Sequence, residues 1–398
     1  MFTFTSSSSR TSRIFYLASE ISADVVGRKV IMMELSSKRQ SCDRKEMFYW
    51  QSDRPFSELE IKQIFLDRFQ NFDLESLTLA VEYGLQQSGR SGDAARVANL
   101  DRPVQYGSVN SVSRVGLKDG TSVILRAHPN GIKNGYFWAE ACASQKCKDI
   151  GIPACSTILI DDTQRLVPFD YMLTEVLPGR NFKEMMPVDQ GLEASLLEQT
   201  GALMAKIHSI KTNGFGFFDN ELAKRSGELR GIHQSWEEHV FAALDSNIAY
   251  LAGHSAISPS MAEKIREILS KHKAVIKLSE PRLVHNDVAD WNELVDAERI
   301  SGIVDWDECF SGDPVCDLAT WTVHFPFARF PHLKQGYESV SPLPDDFEQK
   351  FHYYRLRYIV SKMTLRTKRS VYDKGEFINN LLAYSHQILE DELAWFGE

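Results

Sequence analysis

No Cys-x-x-Cys pair occurs among the six cysteines, which stand at 42, 142, 147, 155, 309 and 316. That spacing excludes a zinc knuckle, a thioredoxin-type pair and a disulfide framework, and scattered thiols fit a reducing compartment. No run of 18 apolar residues is present, so no membrane span is expected. Glycine and proline are modest, at 23 and 14 of 398 residues, far from collagen-like or low-complexity composition. A Gly-x-Gly-x-x-Gly turn after a strand is missing, which argues against a dinucleotide-binding oxidoreductase. Basic charge is in deficit: 45 Lys+Arg against 54 Asp+Glu leave a net charge of −9, poorly suited to coating nucleic-acid phosphate. What is present is an ordinary globular composition, 43% hydrophobic and 25% charged, long enough for two or three domains or lobes. Small molecules and cations are the expected partners, with neither nucleic acid nor membrane.

Residues 1–19 hold six serines, Arg10 and Arg13, and no acid precedes Glu20, a composition like that of an organelle address. Residues 1–46 are expected to be an extension outside the fold, which begins near Met47; the remainder is expected in the cytoplasm. Over 47–98 the chain reads as a helical segment, with apolar spacing from Ser57 to Phe69 opened by a Ser57/Glu60 capping box, followed by a polar stretch over 86–101. From Val109 to Pro129 two β-rich runs meet at Asp119-Gly120, a hairpin signal. A helix from Tyr136 stopped by Gly151 and Pro153, and strands at 156–160 and 171–176, complete a small lobe over 99–178 that Pro178-Gly179 breaks off. Over 179–398 the spacing is mainly helical. Leu196, Leu197, Thr200, Leu203, Met204 and Ile207 share one face, and further helices are expected at 235–251, 260–277, 347–368 and 376–395.

One stretch interrupts those helices. Residues 285–317 carry ten acids and a single arginine, Arg299. Such crowding is unfavourable unless a cation neutralises it or the side chains reach water. Two β-like segments, 292–295 and 300–304, flank a polar turn at 296–299. A turn centred between Glu298 and Arg299 sets Leu294 against Ile303 and Asn292 against Asp305. An amide and a carboxylate then meet at the open end of the ribbon. That pair of hard oxygens suits Mg²⁺, which completes its shell with phosphate and water. Asp287, five residues before Asn292, enters the same end within reach of a substrate hydroxyl.

The segments His285-Asn-Asp-Val-Ala-Asp-Trp-Asn292, Ile303-Val-Asp-Trp-Asp307 and Gly312-Asp-Pro-Val-Cys-Asp-Leu-Ala319 resemble the aminoglycoside phosphotransferase family. The resemblance runs in order from about Asn99 to Trp321. It implies an α+β, two-lobed, protein-kinase-like fold, with a small antiparallel-sheet N-lobe and a larger, mainly helical C-lobe. It further implies ATP and Mg²⁺ as cofactors and γ-phosphoryl transfer to a hydroxyl of a small molecule, with an aminoglycoside or other cationic sugar suggested by the acidic cleft. Carried over by position, Asp287 is the catalytic aspartate that accepts or orients the hydroxyl proton, and Asn292 and Asp305 are the metal ligands. His285 holds the loop, Asp317 braces it from behind, and Asp313 with Pro314 starts a helix. Asp307 touches a second metal or a cationic substrate, or lies on the surface. On the nucleotide side, Gly107 and Ser108 mark the phosphate loop, Arg126 replaces the usual phosphate-pairing lysine, and Glu140 pairs with it. Backbone groups from Glu175 to Leu177 would read the adenine. His208 is structural, and Gly214–Phe217 with Trp236 would shape the acceptor pocket. Arg126 is the one support for the alternative, a nucleotide-binding pseudokinase with a regulatory or scaffolding role.

Overall fold

The computed structural model of the protein describes residues 57–67, 73–101, 110–131 and 133–397. The extension over 1–46, the start near Met47 and the phosphate loop with Gly107 and Ser108 lie outside the described residues. The chain opens with α1 (Glu58–Asp67) and α2 (Leu74–Gln87). Ser57 and Glu60 form the reciprocal cap, the Ser57 amide donating to Glu60 at 2.9 Å and the Glu60 amide to Ser57 at 3.3 Å. Five antiparallel strands follow in the order β1-β2-β3-β5-β4: β1 (Val97–Leu100), β2 (Ser111–Leu117), β3 (Ser122–Ala127), β4 (Thr157–Asp161) and β5 (Tyr171–Glu175). Gly120, at φ +87°, makes the Asp119-Gly120 turn between β2 and β3.

Two differences from the sequence expectation appear here. Part of the polar stretch is the edge strand β1, whose half-buried residues give little apolar signal. The chain before it is no separate segment. Leu77, Ala80, Val81 and Leu85 of α2 pack on Val115, Val123, Leu125 and Leu173 of the sheet as one core. Period-two alternation then sends Arg126 to the opposite face of β3, toward the cleft. On that side lies α3 (Phe137–Asp149), ended as expected by Gly151 at φ +80°.

The large lobe begins with the two-residue strand β6 (Arg180–Asn181), a single turn α4 (Phe182–Met185) and α5 (Gln190–Ile207). Next come β7 (Phe215–Phe218), α6 (Asn220–Ser226), β8 (Gly231–His233), α7 (Trp236–Phe241), α8 (Leu244–Gly253) and α9 (Pro259–Lys271). The single helix expected at 235–251 is broken by Ala243 in the left-handed region, φ +53°. The stretch over 282–312 carries β9 (Arg282–Val284), β10 (Glu293–Asp296), β11 (Arg299–Ile303) and β12 (Phe310–Gly312). The chain closes with α10 (Val315–His324), α11 (Phe330–Glu338), α12 (Phe347–Tyr372) and α13 (Glu376–Trp395). The result is the α+β, two-lobed arrangement expected from the sequence.

A separate core joins the lobes. Ala139, Ala143 and Cys147 of α3 pack with Val295, Ile300, Ile303 and Trp306 of the acidic stretch. This contact is what brings the small lobe's charged residues against the ribbon end. No helix among the described residues is long and apolar enough to cross a membrane.

Candidate active site

The ribbon of β10 and β11 turns through Ala297 and Glu298, both at positive φ (+45° and +63°), the geometry of a tight two-residue hairpin. This turn lies one residue earlier than the expected one. Val295 therefore pairs with Ile300, and a bulge after Leu294 sets Leu294 against Gly302 and Glu293 against Ile303. The expected Leu294–Ile303 and Asn292–Asp305 registers are thus corrected. The Asn292 carbonyl accepts from the Val304 amide at 2.9 Å, and Asp305 follows one residue beyond the pairing. Asp305 sits at φ +67°, a left-handed turn out of the strand, and its side chain remains 39% exposed. Both residues still reach the open end of the ribbon.

Asp287 meets Asn292 directly. The Asn292 amide nitrogen donates to the Asp287 carboxylate at 2.7 Å and to its carbonyl at 2.9 Å. Burial, followed by the charge of Glu308, holds the Asp287 carboxyl well above the usual carboxylate range, against opposing pulls from Lys362 and Asn292. The loop carrying it is tied from behind. Asp317, in the first turn of α10, accepts from the amides of His285 (2.9 Å) and Asn286, while His208 Nε2 meets the same carboxylate at 2.8 Å. His208 also bonds the Tyr337 hydroxyl at 3.0 Å. The His285 ring is buried, 4.4 Å from the Trp306 ring, and burial lowers its pKa. Its neutral Nδ1 accepts the Asp287 amide at 3.3 Å. Asp313 takes the Val315 amide at 3.0 Å, starting α10 as its sequence position suggested.

From the small lobe, Arg126 forms an ion pair with Glu140 of α3 and a second with Asp305 at 2.7 Å; Asp307 is at 4.0 Å. Burial alone would lower the guanidinium pKa, but Glu140, Asp305 and Asp307 together raise it well above its ordinary value. The Trp306 amide also donates to Glu140, at 3.3 Å. Asp307 is buried, so the surface alternative for it is excluded. Burial and then the Asp305 charge raise its pKa strongly.

Of the ten acids, the rest are otherwise engaged or solvated. Asp290 pairs with Arg329 at 2.9 Å, Glu293 accepts from Thr200 at 2.6 Å, Asp313 is 3.2 Å from Lys350, and Asp296 and Glu298 are exposed. Four carboxylates therefore define the cleft: Asp287, Asp305, Asp307 and Glu308. Glu308 received no role from the sequence; it is buried and accepts from Asn286 at 3.2 Å. The described residues hold no cluster of three His, Cys, Asp or Glu poised for a metal.

At the end of β5, the Glu175 amide already donates to the Ser156 carbonyl at 3.0 Å, which removes it as an adenine contact. The side chain of Glu175 is exposed, 3.5 Å from Lys148. Leu177 follows on the linker between the lobes. Trp236 does not shape an open pocket. It is buried, stacked at 5.0 Å on His239, with its indole donating to the Tyr354 hydroxyl at 2.8 Å.

A β-sheet lobe supplying an Arg–Glu ion pair, over a helical lobe supplying an Asp–Asn loop and a carboxylate turn, is the protein-kinase-like arrangement. The sequence matches the phosphotransferase enzyme family (APH) over residues 102–345, and the chain belongs to that family. Two relatives are probable ketoamine kinases: one of Escherichia coli K12, 29% identical over 125 residues, and one of Klebsiella aerogenes, 27% identical over 241. The first match spans 31% of this chain and 40% of that protein's length, and the second spans 58% and 74%. Among solved structures, aminoglycoside phosphotransferase APH(4)-Ia, in ternary complex with AMP-PNP and hygromycin B, superposes with a TM-score of 0.57 at 17% identity, covering 79% of this chain and 98% of that one. A putative fructosamine-3-kinase from Thermobifida fusca gives 0.54 at 17% identity, covering 78% and 98%. These likenesses establish the fold.

Proposed function

We propose that this chain is an ATP-dependent kinase that moves the γ-phosphoryl group to a hydroxyl of a small, sugar-like acceptor. The observation that carries this reading is the bridge of Arg126 from Glu140 to Asp305, beside an Asp287 that is itself bonded to Asn292. Phosphoryl transfer asks the protein for positioning and charge neutralisation more than for covalent chemistry. Arg126, steadied by Glu140, would grip the nucleotide phosphates with its planar fork. Asp287 would orient the acceptor hydroxyl and take its proton, and its raised pKa makes it a stronger base than a solvated aspartate. Asn292 and Asp305 fit Mg²⁺: two hard oxygen donors without a third side chain suit an ion that keeps phosphate and water in its shell. When bound, Mg²⁺ would neutralise charge on the transferring phosphates. Gly107 and Ser108 remain the proposed phosphate loop, and Leu177, with the carbonyl of Glu175, the proposed adenine contacts.

The relatives named as ketoamine kinases and the aminoglycoside phosphotransferase neighbour point to amino sugars and sugar–amine adducts as acceptors to try first. The intact Arg126–Glu140 pair favours catalysis over a pseudokinase role. Transfer of labelled γ-phosphate from ATP to a panel of ketoamines and aminoglycosides tests the reading. Asp287→Asn should lower kcat about 10²- to 10⁴-fold with Mg·ATP binding retained. Equal turnover in the variant and the wild type would remove Asp287 from its role.

A further inference from the structure

Two left-handed residues aim the carboxylates of the cleft. Asn286, at φ +68°, presents Asp287, and Asp305, at φ +67°, opens the single 3-10 turn Trp306–Glu308. Neither is glycine, and such a backbone persists only where its surroundings impose it. The turn is secured from the small lobe: Trp306 is fully buried, its amide donates to Glu140, and Asp305 pairs with Arg126. Asn286 is secured otherwise. Asp317 takes its backbone amide, which fixes the chain and leaves the side chain to be held by something else. Packing does not hold it completely, because Asn286 borders a cavity of about 20 Å³ that is also lined by Trp236, Phe310, Tyr354 and Tyr358. The hold comes from Glu308, whose carboxylate accepts from the Asn286 side-chain amide at 3.2 Å. Both partners are buried, at 3% and 8% exposure, so the bond is shielded from water.

This bond joins the residue just before Asp287 to the end of the turn that Asp305 opens. Asp287 is then tied on two sides, directly by Asn292 of the ribbon and, through Asn286, by Glu308 of the turn. We propose that Glu308 is a positioning residue, a strut that fixes the Asp287 carboxylate relative to Asp305 and so sets the distance from the acceptor hydroxyl to bound Mg·ATP. This rests on the kinase reading and gives a task to an acid that lies between the second and third motifs. Phosphoryl transfer tolerates little slack, and a displacement of about 1 Å costs about 100-fold in rate. A charge-assisted hydrogen bond is stronger than a neutral one, which suits a side chain that has a cavity beside it to turn into.

Steady-state kinetics of the full chain with Mg·ATP, and fructosamine and hygromycin B as acceptors, test the strut at the plateau of each variant's pH profile. Glu308→Ala and Asn286→Gly should each lower kcat about 10- to 100-fold and leave the KM for ATP within about 2-fold, because Arg126 and Glu140 still secure the turn. Glycine accepts the left-handed backbone freely, so the loss in Asn286→Gly reports the side-chain bond alone. Combining the two changes should cost no more than the worse single one. Glu308→Gln, which keeps an acceptor oxygen at the same reach, should recover most of the loss. The proposal is overturned if Asn286→Gly turns over like the wild type, if the two losses multiply, or if Glu308→Gln is as slow as Glu308→Ala. Transfer by the wild type reports on the kinase reading, whereas a crystal structure of Glu308→Ala reads the strut without any turnover. There the Asn286 side chain should turn and the Asp287–Asn292 bond should open beyond hydrogen-bond distance; an unmoved Asn286 and an intact 2.7 Å bond would overturn the strut alone.

Discussion

Arg126 shows how one side chain couples stability to function. It is nearly fully buried, and its charge is supportable only because Glu140, Asp305 and Asp307 surround it. Removing it leaves buried carboxylates uncompensated, which costs about 3–5 kcal/mol. Arg126→Met should therefore lower the unfolding free energy by about that amount in denaturant titrations and raise the KM for ATP more than about 10-fold. Arg126→Lys should recover much of the stability but not the two-pronged grip, leaving an intermediate KM. At this scale the sequence was informative about proximity: Asn292 bonds Asp287, and Arg126 pairs with both Glu140 and Asp305, while the catalytic and metal-binding roles given to them are proposals. Glu308 escaped notice because it was one acid among ten, with no partner legible in the sequence; its bond from Asn286 exists only in the fold.

Elements are positioned by close backbone approaches as much as by side chains. α5 and α11 cross where Gly201 and Gly336 face the partner helix, and a Cβ on Gly336 would stand 1.9 Å from the Glu198 carbonyl oxygen. Gly336→Ala must push the helices apart, at a cost of about 1–3 kcal/mol. Denaturant unfolding should register that loss, with the KM for ATP unchanged, because α11 lies outside the nucleotide cleft. Turn chemistry explains the ribbon's register. Polar residues at 296–299 mark a turn, but only the positive φ of Ala297 and Glu298, which alanine and glutamate do not advertise, fixes its centre. The bulge after Leu294 has no sequence signature at all, and one residue of slip changes which side chains are opposite. β1 was missed for a related reason, because an edge strand that buries little carries little alternation.

For the whole molecule, buried histidines set the acid limit. Burial, then the charges of His233 and Arg357, lowers His239 well below 6.5; burial, then Lys362 and Arg366, does the same to His324. Below about pH 6.5 the unfolded chain takes up these protons and the folded chain does not. The stability they contribute is complete above that pH and is lost as pH falls toward their folded values, at about 1.4 kcal/mol per histidine per pH unit. Tm measured from pH 7.5 to 5.5 should fall, and His239→Gln should flatten the decline.

The joining of the lobes through Trp306 and α3 makes the central claim a statement about one point in space, the end of the β10–β11 ribbon. A crystal structure with Mg·AMP-PNP tests it most directly. The account predicts an ion about 2.0–2.1 Å from oxygens of Asn292 and Asp305, with Arg126 turned from Asp305 onto the phosphates and still paired with Glu140. An ion held elsewhere, or an Arg126–Asp305 bridge that persists with nucleotide bound, would contradict it.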